Sequence, residues 1–133
     1  EALAAGHRVE VVPGPSAVLT ALQASGLPTD AFTFVGFLPP RPVGRRKRLE
    51  SRLERRETVI AFESPHRIAG CLEDLERIWG DRPIALAREL TKLHEQVLRG
   101  TASEVRAALT ADKRRGEMVL VLGGNVRRAE TRE

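Results

Sequence analysis

Short apolar runs alternate with helical periodicities along almost the whole chain, and this alternation limits the possible folds more than any other feature. The apolar runs are rich in β-branched residues and bounded by turn residues, which is typical of strands. Such an order of elements indicates an α/β layer fold, here a mixed sheet of about five strands flanked by about four helices. The predicted strands are His7–Val12, Ala31–Leu38, Thr58–Phe62, Pro83–Ala87 and Met118–Leu122, with a shorter extended piece at Gln96–Arg99.

The clearest predicted helix lies in the middle of the chain. Ser64 is well suited to be its N-cap, and Pro65 fits the first helical position. Gly80 ends the pattern. The apolar residues that recur at helical intervals are Ile68, Cys71, Leu72, Leu75, Ile78 and Trp79.

Three further helices are predicted with weaker periodicity. Ser16–Ser25 forms one of them, and Gly26 fits the residue just past its end. A second, basic helix begins around Gly44. The third follows Thr101, which with Glu104 predicts a capping box.

Length and composition favour a single cytoplasmic domain. The chain has 133 residues, of which 41% are hydrophobic, so it is long enough for one typical domain and too short for two. Its single cysteine excludes a disulfide framework. No apolar run approaches the ~20 residues of a membrane span, and no signal peptide is visible. The start at Glu1, within an apparently structured element, suggests the carboxy-terminal part of a longer protein.

Positive charge is concentrated in residues 41–57. This segment holds eight basic and three acidic residues, whereas the formal charge of the whole chain is only +4. A concentrated basic patch suits a polyanion such as nucleic acid. Alternatively, its arginines pair with glutamates at helical spacing on a solvated helix. The possible metal ligands His7, His66, His94 and Cys71 are too far apart in sequence to form a ligand pair, so no metal site is predicted.

Two polar blocks follow predicted strands directly. Arg88–Glu95 follows one strand and Glu63–Arg67 follows another, so we expect the two blocks to share a ligand face at one edge of the sheet. In the second block, His66 and Arg67 either hold an anion or pair with Glu63.

The turn between the first predicted strand and helix is a third candidate site. Pro13, Gly14, Ser16 and Ala17 lie in a strand-to-helix turn, which presents free backbone N–H groups and the positive end of the helix dipole. The small side chains would let a ligand approach the backbone. An ordinary tight turn explains the local pattern equally well.

Several motifs in order resemble the family of ribosomal RNA small subunit methyltransferases I, within the tetrapyrrole methylase superfamily. The FESPHR and RELTK motifs are the most specific, and the resemblance covers nearly the whole chain. The matching stretches are VPGPSA (12–17), LQASGLP (22–28), FVGFLP (34–39), FESPHR (62–67), ARELTKLHE (87–95) and GEMVLVL (116–122). The resemblance implies that residues 1–126 form the carboxy-terminal α/β domain of a two-domain enzyme, with residues 127–133 as a frayed tail.

The same resemblance implies transfer of a methyl group from S-adenosylmethionine to the ribose 2′-hydroxyl of a cytidine in small-subunit (16S) ribosomal RNA. It also implies a homodimer, with the cofactor between two domains of which this chain supplies one. Two residues depart from the family pattern: Phe62 stands where a tyrosine is common, and His94 where an aromatic residue is common. The cofactor-contacting residues that the resemblance suggests are Pro13, Gly14, Ser16, Ala17, Glu117 and Met118.

Lys92 is the preferred catalytic candidate, because a nearby lysine stabilises the charge that develops on a reacting hydroxyl or acts as its base. Glu89 or Glu95 would orient it; alternatively, these residues form a structural ion-pair network with Arg88. The hypothetical RNA-phosphate contacts are Arg45, Arg46, Lys47, Arg48, His66, Arg67 and Arg88. Two alternative functions stay open: a fragment of a small-molecule (tetrapyrrole or corrin) methylase, and a non-catalytic RNA-binding or dimerisation module.

Overall fold

A five-stranded mixed sheet with helices on both faces forms the core of the computed structural model, as predicted. The structure describes residues 1–110 and 115–125, so the predicted tail at 127–133 lies outside it. The elements in chain order are α1 (Ala17–Ser25), β1 (Phe32–Phe37), α2 (Pro42–Ser51), β2 (Thr58–Glu63), α3 (Ile68–Trp79), β3 (Ile84–Arg88), β4 (Gln96–Gly100), α4 (Ala102–Ala108) and β5 (Met118–Leu122).

The strand order is β1-β2-β5-β3-β4. Strands β1 and β2 are parallel, whereas β5 runs antiparallel to both of its neighbours, β2 and β3. Consequently β2 and β3 run in the same direction on either side of β5, and their carboxyl ends reach the same edge of the sheet. This topology positions the candidate site.

The central strands are buried on both faces, so they read as continuous apolar runs rather than alternating ones. Successive side chains of each strand nevertheless point to opposite faces of the sheet, and so they pack into different layers. In β2, Val59 and Ala61 pack into the layer of α3 and α4, whereas Ile60 packs beneath α1. Helix α2 lies outside, against α3.

The predicted strand His7–Val12 is wrong. Its residues are exposed and have no regular secondary structure, and the strand Gln96–Gly100, expected only as a short extended piece, completes the sheet. A strand requires a neighbour for its backbone N–H and C=O groups. Among the described residues, no strand pairs with this segment. Its β-branched composition is therefore insufficient by itself to form a strand.

The predicted ends of the helices are confirmed in part. The capping box is confirmed, because Thr101 and Glu104 exchange two hydrogen bonds, each 3.2 Å long. Gly26 is confirmed in the left-handed conformation at the end of α1, with φ 72°. Ser16 is the N-cap of α1 rather than its first residue.

Ser64 is not the N-cap of α3. The helix begins at Ile68, after a turn in which the Arg67 N–H donates to the Ser64 carbonyl oxygen over 3.1 Å. Pro65 lies inside that turn. The cause is Glu63, whose Oε1 accepts the Ser64 N–H over 2.8 Å and so holds the chain in a turn before the helix.

Candidate active site

The two polar blocks meet at one edge of the sheet, as predicted. Met118, the first residue of β5, is paired with Glu63 on one side and with Arg88 on the other. The antiparallel β5 brings its start to the point where β2 and β3 end. The residues that follow these strands therefore lie around a common centre.

A cavity of about 400 Å³ lies on the β2 side of this edge, a size within the range of small-ligand sites. Its wall is mainly apolar, with Ala17 at the start of α1 and Met118 at the start of β5. Ser64 adds a hydroxyl that is shielded from solvent and has no hydrogen-bond partner among the described residues. We call this the apolar cavity; its other lining residues are Phe37, Phe62, Glu63, Pro65, Gly116, Glu117 and Val119.

Phe37 reaches the apolar cavity because β1 is irregular. Residues three apart on a regular strand face opposite sides of the sheet. Here the register shifts between Phe34 and Phe37, and Gly36 has a φ of 70°, so the strand is locally bent. Both rings consequently pack edge-on against Phe62, with centroids 5.0 and 5.5 Å away. Phe37 was not among the predicted site residues, although the glycine in FVGFLP was an available signal of the bend.

The predicted cofactor residues are only partly brought together. Ala17, Glu117 and Met118 line the apolar cavity. Ser16 caps α1, with its Oγ accepting the Leu19 N–H over 3.3 Å. Pro13 and Gly14 lie exposed in the segment before the helix and are not part of the cavity wall.

The loop after β3 is strained. Glu89 and Thr91 have positive φ angles of 53° and 64°, which are uncommon for residues other than glycine. Two turn hydrogen bonds hold the loop: the Lys92 N–H donates to the Glu89 carbonyl oxygen over 3.0 Å, and the Glu95 N–H to the Lys92 carbonyl oxygen over 3.1 Å. Strain of this kind is often found at functional sites. We call residues 89–95 the polar loop.

Glu89 is the carboxylate that contacts Lys92. Its Oε2 lies 3.5 Å from the Lys92 Nζ, and its Oε1 accepts the Glu117 N–H over 3.1 Å. Its own N–H donates to the Glu117 carbonyl oxygen, also over 3.1 Å. Of the two predicted orienting residues, Glu89 is thus in place, whereas Glu95 is exposed at the far end of the turn.

A second, larger cavity of about 770 Å³ lies on the other side of Glu89. Lys92 is half exposed beside it, and Leu93 is 92% exposed at the tip of the loop. We call this the polar cavity; it is lined by Arg88, Glu89, Leu93, His94, Glu95, Gln96 and Arg115. Arg115 was missed by the sequence analysis, and no motif marked it.

The basic residues of α2 differ in their surroundings: some anchor the helix and others are exposed. Arg45 is buried, and its Nε donates to Asp74 Oδ2 over 2.9 Å. Arg46 Nε donates to the other oxygen of the same carboxylate, also over 2.9 Å, but its side chain is 45% exposed. Lys47 and Arg48 are exposed. The placement of Arg45 therefore supports an anchoring role for it instead of the predicted phosphate contact.

Asp74 is the buried carboxylate of this anchor. Burial raises the pKa of its carboxyl, but hydrogen bonds and positive charge from Arg46 and Arg45 outweigh that effect, so the pKa lies below its ordinary value. The residue therefore stays ionised and holds α2 against α3. No local pattern predicts this pairing, because 28 or more residues separate the partners.

The remaining predicted phosphate contacts have different surroundings. His66 is exposed, whereas Arg67 donates from Nε to Glu63 Oε1 over 3.1 Å. The ion pair with Glu63, one of the two interpretations of Arg67, is therefore present. Arg88 is buried at the end of β3, where it lines the polar cavity.

Cys71 lies behind Glu63 in the core. Burial, and next the negative charge of Glu63, raises the pKa of the Cys71 thiol to about 12. A neutral buried thiol is a poor nucleophile, so the surroundings of Cys71 fit a packing role in the core.

Two searches of residues 1–110 and 115–125 gave negative results. They contain no group of three or more His, Cys, Asp or Glu residues placed to hold a metal ion. No helix in that part of the chain has the length and apolar character needed to cross a membrane.

Comparison with known sequences finds relatives over most of the chain. Proteins named ribosomal RNA small subunit methyltransferase I are 49% identical over 126 residues in Xylella fastidiosa (strain Temecula1), 47% over 127 in Mycobacterium bovis and 45% over 120 in Bacillus subtilis. These alignments cover 90–95% of this chain but only 41–46% of the relatives. The chain thus spans less than half of their length, and the resemblance predicted from the motifs is confirmed.

Solved structures and a family model agree with this result. A cobalt precorrin-4 methyltransferase superposes with a TM-score of 0.66 at 20% identity, covering 91% of this chain and 54% of the other. A uroporphyrin-III C-methyltransferase from Thermus thermophilus, solved with S-adenosyl homocysteine, gives 0.55 at 22% identity, covering 94% and 54%. These likenesses show the fold. The model of the tetrapyrrole (corrin/porphyrin) methylases matches residues 1–106, and the chain therefore belongs to that family.

Proposed function

We propose that this chain is the carboxy-terminal domain, residues 1–126, of an S-adenosylmethionine-dependent methyltransferase that methylates the ribose 2′-hydroxyl of a cytidine in 16S ribosomal RNA. The observation that carries the proposal is the pairing of Met118 with both Glu63 and Arg88, which sets an apolar cavity beside a strained loop that presents a lysine. The relatives' shared name supports the ribosomal substrate. An amino-terminal domain would complete the protein, which we call the full-length protein.

The apolar cavity fits part of S-adenosylmethionine. The cofactor carries an aromatic base and a ribose, and the cavity offers the aromatic side chains of Phe37 and Phe62 together with the unpartnered hydroxyl of Ser64. Ala17, Glu117 and Met118 would hold the base and ribose, with Pro13, Gly14 and Ser16 along the open side. When bound, S-adenosylmethionine supplies an electrophilic methyl group.

Lys92 would act on the substrate hydroxyl. The Lys92 side chain is half exposed and its Nζ lies 3.5 Å from Glu89 Oε2, so the ammonium is directed without the side chain being buried. In that position it would stabilise the negative charge that develops on the 2′-oxygen as this oxygen takes the methyl group, S-adenosyl homocysteine leaves and the hydroxyl proton passes to water. Glu89 limits the positions of the Lys92 side chain, and its second oxygen stays attached to the Glu117 backbone.

Replacing Lys92 tests this assignment. We expect Lys92→Ala in the full-length protein to lower kcat by about 10²–10⁴-fold, while binding of S-adenosyl homocysteine, measured by calorimetry, is unchanged. Arg77→Ala, which removes an exposed cation from α3, is the control and should keep full turnover. Turnover retained by Lys92→Ala would refute the role of Lys92.

The exposed basic residues of α2 would bind ribosomal RNA. Lys47 and Arg48 are free to contact phosphates, Arg46 is shared between Asp74 and the surface, and Arg45 anchors the helix. His66, Arg67 and Arg88 lie nearer the site, where they would contact RNA close to the reacting nucleotide. The small ribosomal subunit would be the partner, and the full-length protein would be a homodimer.

Salt dependence tests the RNA contact. Each phosphate contact adds about 0.7–0.9 to the slope of log affinity against log salt. We therefore expect the double variant Lys47→Ala/Arg48→Ala to reduce the slope for a small-subunit RNA fragment by about 1.5. Arg8→Ala/Arg77→Ala has the same change in charge at other exposed positions and should leave the slope unchanged. Equal slopes in both double variants would mean that α2 is only a solvated helix.

Methyl transfer assays distinguish the alternatives. A full-length protein that methylates a tetrapyrrole or corrin and not RNA would be a small-molecule methylase, which the fold alone allows. A protein that binds RNA but not S-adenosyl homocysteine would be a non-catalytic module. Either result would overturn the proposed function.

A further inference from the structure

We propose that Glu89 and Gly116 form a positioning pair that couples the apolar cavity to Lys92, so that a ligand in that cavity fixes the lysine. The inference rests on the proposed function and adds Gly116, which acts through Glu89 and the Glu117 backbone on Lys92 without touching substrate. The observation behind it is that the Glu89 carboxylate occupies the space beside Gly116 where other residues carry a side chain.

The contact at Gly116 leaves no room for a side chain. A Cβ built on this residue would overlap the Oε1 and Cδ atoms of Glu89 and would contact its Cγ. Gly116 also has a φ of 76°, which L-residues rarely adopt. The backbone angle therefore favours glycine here, and any Cβ would have to displace the Glu89 carboxyl group.

Glu89 is attached to the start of β5 at two points. Its N–H donates to the Glu117 carbonyl oxygen, and its Oε1 accepts the Glu117 N–H, both over 3.1 Å. The other carboxylate oxygen, Oε2, faces Lys92 Nζ. The Glu89 side chain thus links the start of β5 to the Lys92 side chain in the polar loop.

This link crosses from one cavity to the other. Gly116 and Glu117 line the apolar cavity, whereas Glu89 lines the polar cavity. A ligand that presses on the Gly116–Glu117 backbone must therefore shift or fix the Glu89 carboxylate, and Lys92 follows. The positive φ of Glu89 indicates that the loop tolerates strain to keep this arrangement.

Gly116→Ala in the full-length protein tests the pair. The added methyl group displaces the Glu89 carboxylate, and a misplacement of about 1 Å near a reacting group costs on the order of 10²-fold in rate. We expect kcat to fall about 100-fold, with a change of less than about tenfold in the KM for S-adenosylmethionine. Gly26→Ala is the matched control, because Gly26 has a φ of 72° and open space around its Cα; it should change kcat less than about twofold.

Glu89→Gln tests the same coupling if Gly116→Ala fails to fold. Glutamine keeps the size of the side chain and an acceptor for the Glu117 N–H, but it loses the charge that faces Lys92. We expect binding of S-adenosyl homocysteine within about threefold of the parent and kcat lowered about tenfold. An unchanged kcat in Glu89→Gln would overturn the coupling.

A spectroscopic readout separates this inference from the proposed function. In the parent protein, adding S-adenosyl homocysteine should shift the NMR signal of the Lys92 side-chain εCH₂ group, and in Glu89→Gln the shift should be lost. If the ligand binds, Lys92→Ala abolishes turnover and the Lys92 signal does not move in the parent, the coupling is wrong and the proposed function stands. If the ligand does not bind at all, both are wrong.

Discussion

Two segments of this protein share one sequence pattern, a polar block after an apolar strand, and fold in opposite ways. In residues 63–67 the carboxylate turns inward: Glu63 is buried and bonded to the Ser64 N–H and to Arg67, although His66 stays exposed. In the polar loop the groups turn outward, and Glu89 and Thr91 take strained backbone angles. The pattern marks the edge of the sheet in both cases, but it does not say which block becomes structural and which stays accessible.

The difference follows from what covers each strand end. Helix α3 follows directly after residue 67 and packs on the sheet, so Glu63 lies beneath it next to Cys71. After β3 the chain returns as β4, and no helix of the described chain covers the polar loop. Most buried polar groups are hydrogen-bonded within the protein, whereas an exposed one is free to bind a ligand. Residues 63–67, which we call the closed block, should therefore control stability. The polar loop, which we call the open block, should control activity.

The largest expected effect on stability comes from opening the closed block. Glu63→Ala removes the acceptor for the Ser64 N–H and the partner of Arg67, and it leaves a small cavity. We expect a loss of about 2–4 kcal/mol in the free energy of unfolding, measured in urea. Glu95→Ala, in the exposed block, is the control and should change it by less than about 0.5 kcal/mol. Similar losses in the two variants would contradict the distinction between the blocks.

The buried thiol behind Glu63 should make stability depend on alkaline pH. Because the pKa of Cys71 is raised from 9.0 to about 12, the folded state holds this proton more tightly than the unfolded state. Its contribution is complete below pH 9 and is lost as the pH rises from 9 to about 12. We expect stability to fall by up to about 1.4 kcal/mol per pH unit in that window.

The measurement is the slope of unfolding free energy against pH in the parent and in Cys71→Ala, which lacks the titrating group. The variant should be less stable at neutral pH but have a shallower slope above pH 9. Identical slopes would show that the thiol is not protected as the structure indicates.

The smallest effect concerns the strain in the open block. Thr91 is β-branched and has a φ of 64°, a conformation that glycine adopts without steric strain. We expect Thr91→Gly to raise the free energy of unfolding by about 0.5–1 kcal/mol, because the relief of about 1–3 kcal/mol of strain exceeds the entropic cost of glycine, and to lower turnover, because the freed loop holds Lys92 less firmly. Thr91→Ala removes the branch without freeing φ and is the control. A less stable Thr91→Gly variant would mean that the loop is not strained.

Local signals in the sequence predicted a large part of the fold. The apolar periodicity of α3, the glycine after α1 and the capping box of α4 were recognised because each depends on residues close together in the chain. The edge shared by the two polar blocks was also predicted, since parallel strands end on the same side. These features need no knowledge of distant contacts.

The errors all came from distant or competing contacts. The segment 7–12 has the composition of a strand but lacks a neighbour among the described residues. Ser64 has the chemistry of an N-cap, but the adjacent Glu63 holds its N–H in a turn. The phosphate contact at Arg45 stays a prediction, although Asp74, 29 residues further on, draws this side chain into the interior.

By itself, the sequence determined the fold class, the family and the two blocks in which a site was to be sought. Only the tertiary structure decided which block is closed, that Glu89 and not Glu95 faces Lys92, and that Gly116 gives its space to the Glu89 carboxylate. The physical reason is that periodicity and turn residues act within a few positions of the chain. Burial and hydrogen bonding of a side chain depend instead on the residues that the fold brings against it.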